Sequence, residues 1–525
     1  MQANITHQPT KYSDHLDRGD ASIAAVLGIL SLALYVRTLA PGLLPGDSGE
    51  FQVLAYLVGH AHTTGYWVYL LLAKATTLLP IGSIAYRVNL FSALMGALSV
   101  GIVYLCAKLV TRNRLAAGIG ALAFAFAPTV WSQAIIAEVY TAASVIVALV
   151  LFFTLLYGYT QKSIYLFLVA MLGGLSLGIH GSISLFAPGI LIFIFIQRPS
   201  WRKLFKPIFL GLLIGLAVLL LAFFIVDNSS GPYSIVETSY LPSITAWDLT
   251  PADIDAPLER FAFLLSATQW RGNMFNFGEF PKLIGTFIER LWADYQLVLI
   301  AAMLLGLFNI GKFKRGLGWL FGIGLLVYLL YTLNYRIGDI YVFYVPLYAY
   351  LSTLVAAGIN RAIDLTGKLP LPNTGQKAAT VAVLVIALSG LVGPFLPHMD
   401  YLRAGETHFE FANIMPNDEA ESWHQVIATT VAAMEPDAIA LIGWNDVYAY
   451  YYVAYVELGR DDLYFIEATP YSHKPGMADS LVALIDQNLD THPIYTETRF
   501  QDLNHIGVSS VPTTVGAKRL FRLIR

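Results

Sequence analysis

Asp47 and Glu50 stand three residues apart in GDSGE, a spacing that puts two carboxylates on one face of a helical turn. Such a pair can take a proton from a hydroxyl nucleophile, bind a hard cation, or cap the helix that begins there. Capping is the commonest use of acids in a first turn, and Asp47 or Ser48 is suited to cap a helix starting near Gly49. His60 and His62 follow. A metal shared by these two histidines is not expected. Glu138 and Tyr140 lie in AEVYT, His180 in LGIHGS, Arg271 in RGNMFNF, and Arg336 and Asp339 in NYRIGDIY. Each has a plain structural use, as an ion pair or a headgroup anchor. Ionisable groups at the ends of apolar runs are costly to keep there and often functional, and these come from unrelated parts of the chain. There is no Walker-type phosphate loop, no HExxH and no G-x-S-x-G. The single cysteine, Cys106, forbids an internal disulfide and a CxxC metal site.

The elements that must position these residues are those of a membrane protein. Of 525 residues, 56% are hydrophobic and 13% charged, against roughly 25% charged in a soluble protein. The mean hydropathy is +0.61. So much apolar surface points to a bilayer as solvent, and excludes a disordered chain, a collagen, a disulfide scaffold and a nucleic-acid binder. Uncharged runs read as spanning helices at 22–40, 86–107, 115–130, 139–158, 164–179, 183–197, 208–226, 294–310, 317–334, 340–358 and 378–396. That makes residues 1–397 a transmembrane domain of about eleven helices, with outside loops 41–85 and 227–293. A polar stretch precedes the first run without a clean cleavage site, so the N-terminus reads as uncleaved.

With Lys11 and Arg18 cytoplasmic, the connections that fall inside are Lys108–Arg114, the turn at Lys162, Arg198–Lys206, Lys312–Arg315 and Arg361–Lys377. Each is basic. The short outside connections, 131–138, 180–182 and 335–339, carry only Arg336. This is the asymmetry of the positive-inside rule, and it requires that 66–80, with Lys74, not cross. The candidate residues then gather outside.

Residues 398–525 read as a small extracytoplasmic α/β domain. From residue 400 onward there are 18 acids and eight bases. Strands are expected near 438–444, 463–467 and 494–497, with helices near 447–458 and 477–489, giving a parallel sheet. Tyr448 and Tyr450–Tyr452 could form a stacking surface, but packing is the commoner use of such aromatics.

GDSGE followed by His62-x-x-Gly65-Tyr66 resembles the start of a bacterial and animal membrane family, formerly of unknown function, now grouped with protein O-mannosyltransferases in the GT-C superfamily. The resemblance continues through YRVN at 86–89, EVY at 138–140, LSLGIH at 175–180, Asp339 with Phe343 and Pro346, and the tail stretches LIGWNDVYAYYY and GRDDLYFIEA. It covers most of the chain and adds Tyr66 and Arg87 to the candidate residues. The chain departs from the family pattern at His62-Thr63-Thr64-Gly65, where His-Pro-Pro-Gly is usual. It departs again at Gly443-Trp444-Asn445-Asp446, where many members carry Gly-Asp-Asn-Asp.

The resemblance implies a GT-C glycosyltransferase that takes a sugar from a polyprenyl-phosphate donor and passes it to a hydroxyl of a protein or glycan on the extracytoplasmic side. Asp47 matches the catalytic carboxylate, with Glu50 beside it. His60, His62, Tyr66, Arg87, Glu138, Tyr140, His180, Arg271, Arg336 and Asp339 are then candidate substrate-binding residues. The leaving lipid phosphate needs donors, for which Arg336, Arg271 and His180 are available. The expected location is a bacterial plasma membrane. A divalent cation, Mg²⁺ or Mn²⁺, on Asp47 and Glu50 is left open, since hard cations usually take more oxygen ligands than this loop offers. A flippase of lipid-linked sugars is the alternative, although no internal repeat of the transporter kind is visible. A scaffold or receptor is a third reading, and it leaves the DSGE loop and His180 unused.

Overall fold

The computed structural model describes residues 16–197, 200–472, 474 and 476–525. Lys11 and Arg198, used above to orient the chain, lie outside the described residues. The helices run α1 (Arg18–Arg37), α2 (Gly46–Leu57), α3 (Trp67–Thr77), α4 (Ile84–Thr111), α5 (Arg114–Phe126), α6 (Pro128–Ala134), α7 (Tyr140–Thr160), α8 (Ser163–Leu175), α9 (Ala187–Ile196), α10 (Trp201–Ser229), α11 (Pro257–Leu265), α12 (Phe280–Asn309), α13 (Leu317–Thr332) and α14 (Tyr344–Thr366). The chain continues through α15 (Asn373–Ser389), α16 (Val392–Phe395), α17 (Met399–Ala404), α18 (Phe409–Ala412) and α19 (Asn417–Ala433). It ends with β1 (Ile439–Ile442), α20 (Trp444–Tyr451), β2 (Tyr464–Glu467), α21 (Asp479–Asn488), β3 (Ile494–Thr496), β4 (Ser509–Val515) and β5 (Lys518–Ile524).

Among the described residues, seven helices are long and apolar enough to cross a membrane, or eight if the pair α5 and α6, bent by 62° at Ala127–Pro128, counts as one span. Three shorter apolar helices, Ser163–Gly178, Gly181–Ile196 and Leu317–Thr332, fall on the remaining runs. The bend has a simple cause. Pro128 at the first position of α6 lacks the N–H that would continue α5 and starts a new helix instead.

Two boundaries differ from the sequence expectation. α2 begins at Gly46, not Gly49, because Gly46 enters with φ +61, a left-handed conformation that glycine adopts without strain. α12 begins at Phe280, well before 294. Its first half carries Lys282, Glu289 and Arg290, so it reads as loop, and it joins the apolar half across a break at Gln296.

Membrane helices approach closely where side chains are small. α12 and α14 interlock at Gly306 and Gly358. A Cβ on Gly306 would lie 2.0 Å from the Leu354 carbonyl oxygen, and one on Gly358 would lie 1.7 Å from that of Ala302. Larger residues would force these helices apart.

The C-terminal sheet has the order β2-β1-β3-β5-β4. β1 pairs in parallel with β2 and β3, while β5 pairs antiparallel with β3 and β4. The sheet is therefore mixed rather than parallel. The final hairpin turns at Gly516, which has φ +57. Buried apolar residues run without interruption from the spanning helices into α19 and α20, and α20 packs directly on α2. Tyr448 and Tyr450–Tyr452 are all buried. The Tyr451 hydroxyl donates to the Pro232 and Phe465 carbonyls, so these tyrosines pack rather than form a stacking surface.

Candidate active site

α2 carries Asp47 and Glu50 into the wall of a cavity of about 1040 Å³. Neither caps the helix: Pro45 is the N-cap and no side chain bonds the free N–H groups. Glu50 is fully buried. Its two oxygens accept from the His62 backbone N–H at 2.7 Å and meet His62 Nδ1 at 2.5 Å. His62 Nε2 then faces Asp47 Oδ2 at 3.7 Å and the Tyr66 hydroxyl at 3.3 Å. Burial works against a charge on His62, but the carboxylates of Glu50 and Asp47 outweigh it and push its pKa up to about 10. The pair keeps its proton through neutral pH, with an imidazolium at the cavity wall.

Asp47 is held from elsewhere. Its Oδ1 accepts from the indole N–H of Trp444, at the start of α20, at 2.9 Å. The carboxylate is thus placed by a donor on one oxygen and an imidazole beside the other, with 39% of the side chain exposed to the cavity.

Tyr66, Glu138, Tyr140, His180 and Asp339 also line the cavity. His180 stacks near Tyr66 and packs against Tyr140 and Phe343. Its Nδ1 is engaged by the hydroxyl of Ser182 at 2.7 Å and by the Ser182 backbone N–H at 3.3 Å. The backbone donor makes Nδ1 an acceptor and puts the ring proton on Nε2. Burial lowers the His180 pKa to about 3, so this ring is a neutral N–H donor. Burial, reinforced by Asp47, pushes Asp339 up to about 6. Burial also raises Glu138 well above the carboxylate range and brings Glu467 to about 7. Low dielectric and mutual repulsion thus make neutral carboxyl groups of part of an acidic wall.

The remaining candidates do not reach the cavity. Arg87 donates to the backbone carbonyls of Thr77, Ile81 and Gly82 and ties the α3–α4 turn. Arg336 is 66% exposed and faces Glu279 at 3.7 Å. Arg271 donates to the Ser266 carbonyl. None of the described residues lining the cavity is a lysine or arginine. Arg271 and Arg336 are therefore not placed as phosphate ligands, because each lies exposed on its own loop. His60 is buried on the far side of its loop. Its Nδ1 accepts from Trp67 Nε1 at 2.9 Å and its Nε2 meets Asp227 at 2.9 Å. Arg260 grips the same Asp227 with two N–H groups.

A divalent cation fits these donors poorly. Both Glu50 oxygens are taken by His62, and among the described residues no three His, Cys, Asp or Glu are grouped to hold a metal. Sequence reasoning missed Trp444, Glu467, Gln133, Tyr335 and Tyr471, all of which line the cavity. Trp444 carried a signal, as one of the two departures from the family pattern. Glu467 and Tyr335 lay within stretches already singled out, GRDDLYFIEA and NYRIGDIY, while Gln133 and Tyr471 carried no signal.

The fold defines the class. The chain shares the GT-C type membrane fold of ArnT from Cupriavidus metallidurans. Its crystal structure bound to undecaprenyl phosphate aligns with a TM-score of 0.58 at 13% identity, covering 97% of this chain and 98% of that one. The apo structure of the same protein aligns at 0.54 and 13%, covering 96% and 98%.

Within that class, residues 47–203 match the family described as Protein O-mannosyl-transferase TMEM260 N-terminal domain. The mouse Protein O-mannosyl-transferase TMEM260 is 31% identical over 163 residues, 31% of this chain and 23% of that protein. Its Dictyostelium discoideum counterpart is 27% identical over 140 residues, 26% and 17% of the two chains. The matches span about a quarter or less of the length of these relatives.

Proposed function

We propose that the protein is a membrane glycosyltransferase. It moves a sugar from a polyprenyl-phosphate-linked donor to a hydroxyl of a protein or glycan acceptor, on the extracytoplasmic side, with Asp47 as general base. The observation that carries this reading is a partly exposed carboxylate on a large cavity, with one oxygen held by an N–H donor and the other beside the His62 imidazole. The TMEM260 relatives supply the reaction class, and the ArnT structure bound to undecaprenyl phosphate supports a lipid-phosphate donor.

The chemistry follows from the groups present. Asp47 Oδ2 takes the acceptor's proton as the acceptor oxygen bonds to the sugar's anomeric carbon. The bond from that carbon to the phosphate oxygen breaks, and its electron pair leaves with the phosphate. That charge is met by the imidazolium of His62 and the N–H of His180, with His62 in the role expected of Arg271 and Arg336. Glu138, neutral in its buried place, does not repel it.

The test is acceptor-dependent release of lipid phosphate by purified protein given polyprenyl-phosphate sugars. Asp47→Asn should lower turnover at least about 10³-fold and leave the thermal midpoint unchanged. Full activity in that variant would sink the assignment. Sugar lipid that crosses liposomes unaltered, with no lipid phosphate released, would favour the flippase instead.

A further inference from the structure

The C-terminal region does more than cover the cavity. Trp444 is separated from Asp47 by 397 positions, yet its indole N–H is a hydrogen-bond donor to that carboxylate at 2.9 Å. The same ring meets His62 edge-on, with centroids 5.9 Å apart. Its own placement is built in. The Gly443 N–H donates to Glu497 at 2.8 Å. Asp446, in the first turn of α20, accepts from Trp423 Nε1 at 3.1 Å and from Lys518 Nζ at 3.0 Å, and Lys518 also pairs with Glu497. These contacts come from α19, from just beyond β3 and from β5, so the sheet and its final hairpin clamp the start of α20. That start in turn lies against α2: a Cβ added to Gly46 would be 3.9 Å from Trp444 Nε1, and one added to Gly49 would be 3.7 Å from the Tyr448 Cβ.

We propose that Trp444 is a positioning residue for the transfer reaction. The C-terminal region reaches into the membrane-helix site and fixes the rotamer of Asp47 through a single indole N–H. With Oδ1 occupied, Oδ2 is the oxygen that faces the cavity and His62. A carboxylate free to turn would spend most of its time misaligned for the acceptor's proton, and small misplacements cost catalysis heavily. Transfer thereby depends on the C-terminal region being seated. The inference rests on the reading of Asp47 as base.

Two substitutions in the full-length protein separate the N–H from the ring. Trp444→Phe keeps an aromatic ring and loses the donor. Trp444→Gln keeps a side-chain N–H and loses the ring. The expected result is a fall in kcat of about tenfold or more in Trp444→Phe with KM changed less than about twofold, since one hydrogen bond to a charged group is removed. Trp444→Gln should recover most of that kcat. Wild-type kcat in Trp444→Phe would overturn the proposal. So would a Trp444→Gln variant as slow as Trp444→Phe, because the ring's packing would then be what matters. Each variant decides by itself if the other fails to fold. Asp47→Asn, run alongside, separates the two claims. If it is inactive while Trp444→Phe is normal, positioning fails and the base stands. If it is active, the base itself is wrong.

Discussion

His60 and His62 lie two residues apart on one loop, and they end in opposite kinds of network. His60 is closed on all sides: Trp67 donates to it, Asp227 accepts from it, and Arg260 completes the ion pair. Burial lowers its pKa and keeps it neutral. His62 is closed on one side only. A buried carboxylate holds its Nδ1, while Nε2 is left beside Asp47 and the cavity. The difference lies in what balances the charge. Asp227 already has Arg260, so His60 need not be charged. Among the described residues Glu50 is paired with no other cation, so His62 supplies one. In an extended segment positions two apart share a face; here the chain bends at His62 and enters a turn closed by the Gly65 N–H on the His62 carbonyl, and this separates a structural histidine from one facing the proposed reaction.

The sharpest way to break this comparison is Glu50→Gln. The imidazolium of His62 is present below its pKa and lost as pH rises through about 10. Removing the Glu50 charge leaves burial to dominate, so that pKa falls toward neutrality. Turnover at neutral pH should drop by about 10²-fold, the scale of losing one electrostatic stabiliser of a developing charge. The high-pH limb of the rate profile should move down by more than one unit. A profile with an unmoved alkaline limb would show that Glu50 does not hold the proton.

Asp227→Asn tests the other half. It leaves Arg260 without its carboxylate, although Arg260 is 21% exposed and can turn to water. The expected cost is about 2 kcal/mol of stability, read as a lowered thermal midpoint. Turnover of the folded fraction should stay within about threefold, since none of His60, Asp227 and Arg260 lines the cavity. A large loss of kcat at unchanged stability would place His60 in the reaction after all.

The sequence was most legible where one physical rule dominates. Each of the apolar runs is helical in the structure, because backbone groups in a bilayer must satisfy themselves. Asp47 and His62, singled out by spacing and resemblance, and Glu138, His180 and Asp339, singled out because charge beside apolar runs is costly, all line one cavity. Three things were hidden. The sheet was read as parallel because Lys518–Ile524 alternates weakly and carries three bases, masking a hairpin strand. The arginines were misplaced because a basic residue on an outer loop reads the same whether it faces a cavity or water. Trp444 and Glu467 were missed because their partners lie hundreds of residues away, and no local pattern encodes such contacts.

The smallest effect expected is at those arginines, and it bounds the comparison from outside. Arg336 was a sequence candidate for the donor phosphate, yet it is 66% exposed and faces Glu279 at 3.7 Å, a surface pair of the kind worth little. Its side chain is exposed and does not line the cavity, and salt screens exposed charges. Arg336→Ala should therefore leave kcat within about twofold of the parent, with a stability change below about 0.5 kcal/mol. Steady-state turnover at low and at physiological salt checks both statements. If turnover instead fell tenfold or more, with donor KM rising, the loop carrying Arg336 would have to fold inward on binding. The phosphate would then be met by that arginine as well as by His62 and His180.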